Sequence, residues 1–255
     1  MEFKSKSNLL FLILGCFFVS NAIIAEFIGV KVFSLEDTLG ITRFDISLFG
    51  IPGLSFNMSA GVLLWPIVFI VTDIINEYFG LKGVRLLSYI AVGLIIYAFL
   101  IVWAAINLAP ADFWLMNTGG KTPVNMDIAF NSIFGQGMWI IVGSITAFLV
   151  GQLVDVFIFH QIKKKTGEKQ LWLRATGSTV VSQFIDSFVV IFLAFYINPN
   201  YNWSFSLVMA VGLVGYTYKF IVTICCTPIL YLLHYLIDQF LGTELSTKLT
   251  QEAAQ

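Results

Sequence analysis

The chain has 255 residues, of which 58% are hydrophobic and 11% charged. A soluble domain carries about a quarter charged residues, so this composition excludes a soluble enzyme and a disordered chain. With 14 Lys plus Arg against 15 Asp plus Glu, no basic excess exists to neutralise phosphates, which excludes a nucleic-acid binder.

Six apolar stretches follow in chain order, at about residues 9–31, 59–80, 86–108, 134–160, 175–197 and 205–237. A hydrocarbon core takes about 20 apolar residues per crossing helix. The stretches therefore predict an all-α integral membrane protein, a six-helix transmembrane bundle forming one domain over residues 1–255. The first stretch follows Lys4 and Lys6 and resembles a signal peptide as far as Cys16. It continues apolar to Val30, longer than a cleaved core, so an uncleaved first helix is expected.

Charge in the connections orients the bundle. Lys4 and Lys6, then Lys82 and Arg85, then Lys163, Lys164, Lys165, Lys169 and Arg174 alternate along the chain so as to share one side. The opposite connections hold only Lys31, Arg43 and Lys121. The positive-inside rule then puts both termini in the cytoplasm, as in a multi-pass protein of a bacterial inner membrane. In the first outer connection, the alternating run Asp45 to Phe49 is followed by Gly50-Ile51-Pro52-Gly53, which predicts a short hairpin. The second, residues 109–132, carries Gly119-Gly120 and Pro123 and reads equally as a lid or an ordered surface loop. Cys16, Cys225 and Cys226 lie in apolar runs and read as packing residues. His160 and His234 are too few for a histidine-rich metal site, and no Cys/His cluster has zinc spacing, so neither metal nor cofactor is expected.

Ionisable residues inside a membrane helix each cost about 2.5–3.5 kcal/mol on insertion scales and need a reason. Glu26, Asp73, Glu77, Asp155, Asp186 and Lys219 lie in the apolar stretches, with Asn21, Asn76, Gln152 and Gln183. Polar bonding between helices accounts for some of them but not for several carboxylates in one small bundle. Asp73 and Glu77, four apart, share a helix face below Phe69, and Pro66 is expected to kink that helix. Gln152 and Asp155 are three apart. Thr179, Gln183 and Asp186, flanked by Ser178 and Ser182, form a polar stripe, and Gly212, Gly215, Tyr216, Lys219 and Thr223 form another. At 1.5 Å per residue, Asn21, Asp186 and Lys219 fall near the midplane. Asp73, Glu77, Gln152, Asp155 and Ser178 lie nearer the cytoplasm. Transporters bind substrate near the midplane. An ammonium buried alone is unfavourable, so Lys219 should meet a carboxylate, and Asp186, at similar depth, is the best candidate.

The same residues resemble the queuosine precursor transporter family, also called the VUT family. The resemblance runs through Ser20-Asn21, Thr72-Asp73-Ile74-Ile75-Asn76-Glu77-Tyr78-Phe79-Gly80 with Arg85, and Gly151-Gln152-Leu153-Val154-Asp155. It continues through Leu171-Trp172-Leu173-Arg174-Ala175-Thr176-Gly177-Ser178-Thr179, Gln183-Phe184-Ile185-Asp186-Ser187 and Tyr216-Thr217-Tyr218-Lys219. It implies uptake of 7-cyano-7-deazaguanine, 7-aminomethyl-7-deazaguanine or a related base. The expected substrate site has Asp186 and Gln183 at its centre, Asn21 and Lys219 nearby, and Asp73, Glu77, Gln152, Asp155 and Ser178 as its cytoplasmic extension. A guanine-like edge presents an N–H and an amino group side by side, which one carboxylate can accept together.

The rival reading is the substrate-binding membrane component of an energy-coupled vitamin importer, whose ATPase would be another chain, since no P-loop is present. An intramembrane serine or aspartyl protease is disfavoured: Gly177-Ser178-Thr179 does not match Gly-x-Ser-Gly, and Gly-x-Gly-Asp is absent. The expected partners are a deazapurine and the lipid bilayer, with no nucleic acid; self-association stays open.

Overall fold

The structure is a computed structural model that describes residues 6–117, 123–135, 138–166, 170–199 and 201–253. Lys4, Gly119, Gly120, Lys121 and Lys169, which enter the sequence reading, lie outside the described residues.

Helix α1 (Lys6–Ile28) leads through strand β1 (Val32–Ser34), the short helix α2 (Leu35–Leu39), strands β2 (Ile46–Leu48), β3 (Ile51–Leu54) and β4 (Asn57–Ser59), and a 3₁₀ turn (Ala60–Leu63). Then come α3 (Trp65–Ile106), α4 (Asp112–Leu115), β5 (Met116–Asn117), β6 (Val124–Asn125) and α5 (Met126–Phe134). Three further long elements follow: α6 (Met138–Thr166), α7 (Leu171–Ile191) continuing into a π-helical turn (Phe192–Tyr196), and α8 (Phe205–Leu241). Helix α9 (Thr243–Glu252) ends the described chain.

The architecture is all-α apart from three two-stranded ribbons, and five described helices are long and apolar enough to cross a membrane. Large apolar side chains such as Leu86, Tyr97, Leu100, Trp103 and Phe157 stand exposed on their outer faces. A soluble monomer would not leave so much apolar surface to water; lipid tails take it here.

One of the five, α3, has 42 residues. Straight, it would be about 63 Å long, twice the hydrocarbon thickness. It is not straight. Gly80 adopts φ 65° and ψ −171°, a conformation that essentially only glycine tolerates. Residues eight apart in a straight helix lie about 12 Å from each other along the axis, yet a Cβ on Gly83 would touch Ile75 Cγ2 at 3.5 Å. The chain thus folds back at Gly80 into two arms, 65–79 and 81–106, and Val68 and Ile95 share one apolar cluster with Phe18 and Ala22 of α1. The expected kink at Pro66 is corrected: this proline sits in the first turn of α3, where its missing N–H costs nothing.

The α6–α7 pair is the most closely packed. A Cβ on Gly143 would meet Val190 O at 3.3 Å, and one on Gly151 would meet Asp186 Cβ at 3.4 Å. Small residues allow such close backbone approach in membrane helices. In the first long connection, β2 and β3 pair antiparallel around Phe49 and Gly50, both at positive φ, the geometry that a two-residue hairpin turn requires.

One end of the bundle gathers several chain segments. Lys6 Nζ donates to Phe240 O at 2.7 Å. The backbone O of Ala253 lies 3.0 Å from where a Gly80 Cβ would stand. Tyr78, just before the Gly80 turn, donates to Asp238 Oδ1 at 2.8 Å and meets His234 Nδ1 at 2.7 Å.

Candidate functional site

A narrow cleft opens between the first arm of α3, α7 and α8. Helical spacing builds each wall. Phe69, Ile70 and Asp73 share a face of α3; Thr176, Thr179 and Gln183 share a face of α7; Thr223, Thr227 and Leu230 share a face of α8. Asp73, Gln183 and the threonines supply its polar lining, and Pro66, Phe69, Ile70, Cys226 and Leu230 its apolar lining. Thr223 donates to Gln183 Oε1 at 2.9 Å and so orients its amide. Thr176 and Thr227 bond across the cleft at 3.0 Å.

Behind Asp73 lies a second carboxylate. Thr179 Oγ1 stands 3.3 Å from Asp73 Oδ2 and 3.3 Å from Asp155 Oδ1. Ser182 donates to Asp155 Oδ1 at 3.1 Å. The remaining oxygens, Asp73 Oδ1 and Asp155 Oδ2, are buried without a hydrogen-bond partner. Two full charges bridged so closely would repel by about 2–3 kcal/mol even at an effective dielectric of about 20. Ser178, fully buried, donates to Ala175 O at 3.0 Å. Gln152 donates from Nε2 to Thr72 Oγ1 at 3.2 Å, while its Oε1 and both side-chain polar atoms of Asn76 lack partners.

A third carboxylate, Glu77, is held by cations. Arg174 donates from Nε and Nη2 to its two oxygens at 3.0 and 2.7 Å, and Lys163 Nζ lies 3.4 Å from Oε2. This revises the reading of Lys163 and Arg174 as connection charges. Lys163 is inside α6 and 5% exposed, and Arg174 is in the first turn of α7 and 1% exposed. A planar guanidinium matches a buried carboxylate in two parallel bonds, which draws Arg174 inward from the helix end.

Further along α7, Lys219 Nζ meets Asp186 Oδ2 at 2.6 Å, with both side chains less than a fifth exposed. Nearby, Ser144 donates to Glu26 Oε1 at 2.5 Å. Asn21 is buried, and its Nδ2 donates to Phe17 O at 2.8 Å within its own helix.

Residues 59–233 match the family described as "Putative vitamin uptake transporter". The chain belongs to this family. It is the VUT family that the motifs resemble, and it makes the chain a multi-pass protein of the bacterial inner membrane. Among curated proteins, the chain is 26% identical over 188 residues, 73% of each chain, to a "Probable queuosine precursor transporter" of Bacillus subtilis. It is 25% identical to the "Queuosine precursor transporter" of Escherichia coli over 67% of this chain and 70% of that protein. It is 24% identical to a "Probable queuosine precursor transporter" of Haemophilus influenzae over 67% of this chain and 65% of that one. No solved structure matches.

In this family member the nine sequence-selected residues fall into separate groups. Asp73 and Gln183 line the cleft. Asp155 stands directly behind it, joined through Thr179, and Ser178 and Gln152 flank that junction. Glu77 belongs to the Arg174–Lys163 cluster, and Asp186 with Lys219 forms a distinct pair. Asn21 bonds its own helix. Sequence reasoning misses Thr176 and Thr227 as cleft residues, because a threonine that bonds back to its own helix, as Thr227 does to Thr223 O, carries the same pattern.

Proposed function

We propose that the chain imports a queuosine precursor base, 7-cyano-7-deazaguanine or 7-aminomethyl-7-deazaguanine, into the cytoplasm, as a single transporter domain without catalytic chemistry. The carrying observation is the cleft lined by one carboxylate, one amide and four threonines together with apolar residues that include Phe69. The N–H and amino group of a guanine-like edge donate together to Asp73. The Gln183 amide serves the ring carbonyl, and Phe69 packs on the ring face. The names of the three relatives support the substrate class.

In this reading the bundle crosses the membrane six times, the two arms of α3 being separate crossings, with both termini cytoplasmic. The fold-back at Gly80 and the shared end of Lys6, Gly80 and Ala253 support it. Glu77, Arg174 and Lys163 then close the cytoplasmic end, and Asp186–Lys219, Glu26 and Asn21 lie on the path from outside. Substrate competing for Asp186 would free α8 from α7 and link binding to movement.

Calorimetric titration of the purified protein with a purine panel tests the reading. The deazaguanine bases should bind, and hypoxanthine, which lacks the exocyclic amino group, should bind at least tenfold more weakly. Asp73→Asn should abolish the difference. Equal affinity for adenine, hypoxanthine and the deazaguanines would contradict it.

A further inference from the structure

Asp73 and Asp155 share a need that the protein's own donors do not meet. Both are buried, at 4% and 0% exposure. Hydroxyls reach their oxygens from Thr179 on Asp73 Oδ2 and from Thr179 and Ser182 on Asp155 Oδ1, and the Ser178 hydroxyl, turned to Ala175 O, lies close enough to serve Asp155 as well. A threonine hydroxyl has a single proton to donate, so Thr179 can serve one of the two carboxylates at a time. Facing the other, its oxygen is a lone pair against an anion unless that carboxyl carries a proton itself. Among the described residues, Asp73 Oδ1, on a residue that lines the cleft, has no hydrogen-bond partner, and Asp155 Oδ2 has none either. Gln152, about one helix turn before Asp155, donates one amide N–H to Thr72, and its Oε1, an acceptor, adds no donor to the pair.

The charged and titratable neighbours do not supply the missing charge. On α3, Glu77 is a further anion, and Arg174 of α7 and Lys163 of α6 are directed at it. On α6, His160 lies more than a turn beyond Asp155. On α7, Asp186 is paired with Lys219 of α8. On α8, Cys226 faces the cleft. Two uncompensated buried carboxylates in one helix bundle are not a stable arrangement.

We infer that Asp73, Thr179 and Asp155 form a proton-binding site, whose one proton is shared across the Thr179 hydroxyl and is required for the bundle to close around its substrate. When a substrate N–H donor occupies Asp73, that carboxylate is ionised and the proton resides on Asp155, with Thr179 donating to Asp73 and accepting from the Asp155 carboxyl. In the substrate-free bundle with both aspartates buried the proton stays on the pair; only when the cleft opens to water does the Asp155 O–H bond break, its electron pair staying on the carboxylate and the proton passing to water. Reclosing takes one proton back. The transport half of this inference rests on the uptake function proposed above; the proton site itself does not.

Infrared spectroscopy of the substrate-free protein at neutral pH tests the site without any ligand. A protonated carboxylic acid stretch that shifts when aspartate is ¹³C-labelled is expected in the unaltered chain, and Asp73→Asn/Asp155→Asn should remove it. A spectrum with no aspartate-sensitive acid band overturns the inference, and so does a band that survives in the double variant. Uptake of 7-cyano-7-deazaguanine into proteoliposomes supplies the second readout. A step needing one proton slows by about tenfold per pH unit above the titration of its site. That alkaline fall is expected in the unaltered chain and should be flattened in Asp155→Asn, whose amide needs no proton. The same alkaline fall in both proteins overturns the inference. An aspartate acid band together with no binding of any deazaguanine would instead sink the substrate reading and leave the proton site standing.

Discussion

Glu77→Gln is the sharpest perturbation of the fold. It keeps the shape of the side chain and withdraws a charge that faces both Arg174 and Lys163. All three residues are buried, at 2%, 1% and 5% exposure, so water cannot screen the loss. The bidentate contacts at 3.0 and 2.7 Å would leave a guanidinium N–H pointing at an amide NH₂. Breaking a buried ion pair from one side costs about 3–5 kcal/mol. For a chain of this size that corresponds to an apparent Tm lower by about 6–20 °C. Heating in detergent followed by size-exclusion chromatography measures it. The triple variant Glu77→Leu, Lys163→Met, Arg174→Met should recover much of the loss, because well-packed apolar groups replace a buried charge cluster at little cost. A Glu77→Gln protein as heat-stable as the unaltered one would refute the reasoning.

Three further outcomes are expected. Lys219→Met should lose uptake, and adding Asp186→Asn should restore expression and monodispersity without restoring uptake; transport by Lys219→Met equal to that of the unaltered chain would remove the 2.6 Å pair from the mechanism. Gly80→Ala should destabilise by about 1–3 kcal/mol, since alanine is strained at φ 65° and its Cβ meets Ala253, and limited proteolysis should then cleave α9 faster; unchanged cleavage would contradict the packing of α9 on this turn. In a chain whose native cysteines are replaced, a membrane-impermeant thiol reagent applied outside intact cells should label Thr42→Cys and spare Lys164→Cys; the reverse pattern would invert the topology.

Much of the polar framework was legible in the sequence because helix geometry is periodic. Spacings of three and four put Gln183 with Thr179 and Asp73 with Glu77 on single faces, and depth along two polar stripes brought Lys219 to Asp186, as the structure shows. What stayed illegible depends on tertiary packing. Charge counting assigns Arg174 and Lys163 to a connection because both flank the α6–α7 link, yet their side chains turn inward to Glu77. Proline is the usual signal of a kink, but Pro66 begins its helix and the reversal falls at Gly80, where φ is positive. The cleft needs faces from three helices at once, so no single stripe marks Thr176 or Thr227 as its walls.

The central claim is that this chain alone moves a deazaguanine base through the bundle, using the carboxylate that lines the cleft. Uptake of radiolabelled 7-cyano-7-deazaguanine into proteoliposomes containing only this protein tests it most directly. Saturable uptake, competed by 7-aminomethyl-7-deazaguanine but not by hypoxanthine and lost in Asp73→Asn, is the expected result. Binding without uptake until an ATPase chain is added would contradict the claim and favour a component of an energy-coupled importer.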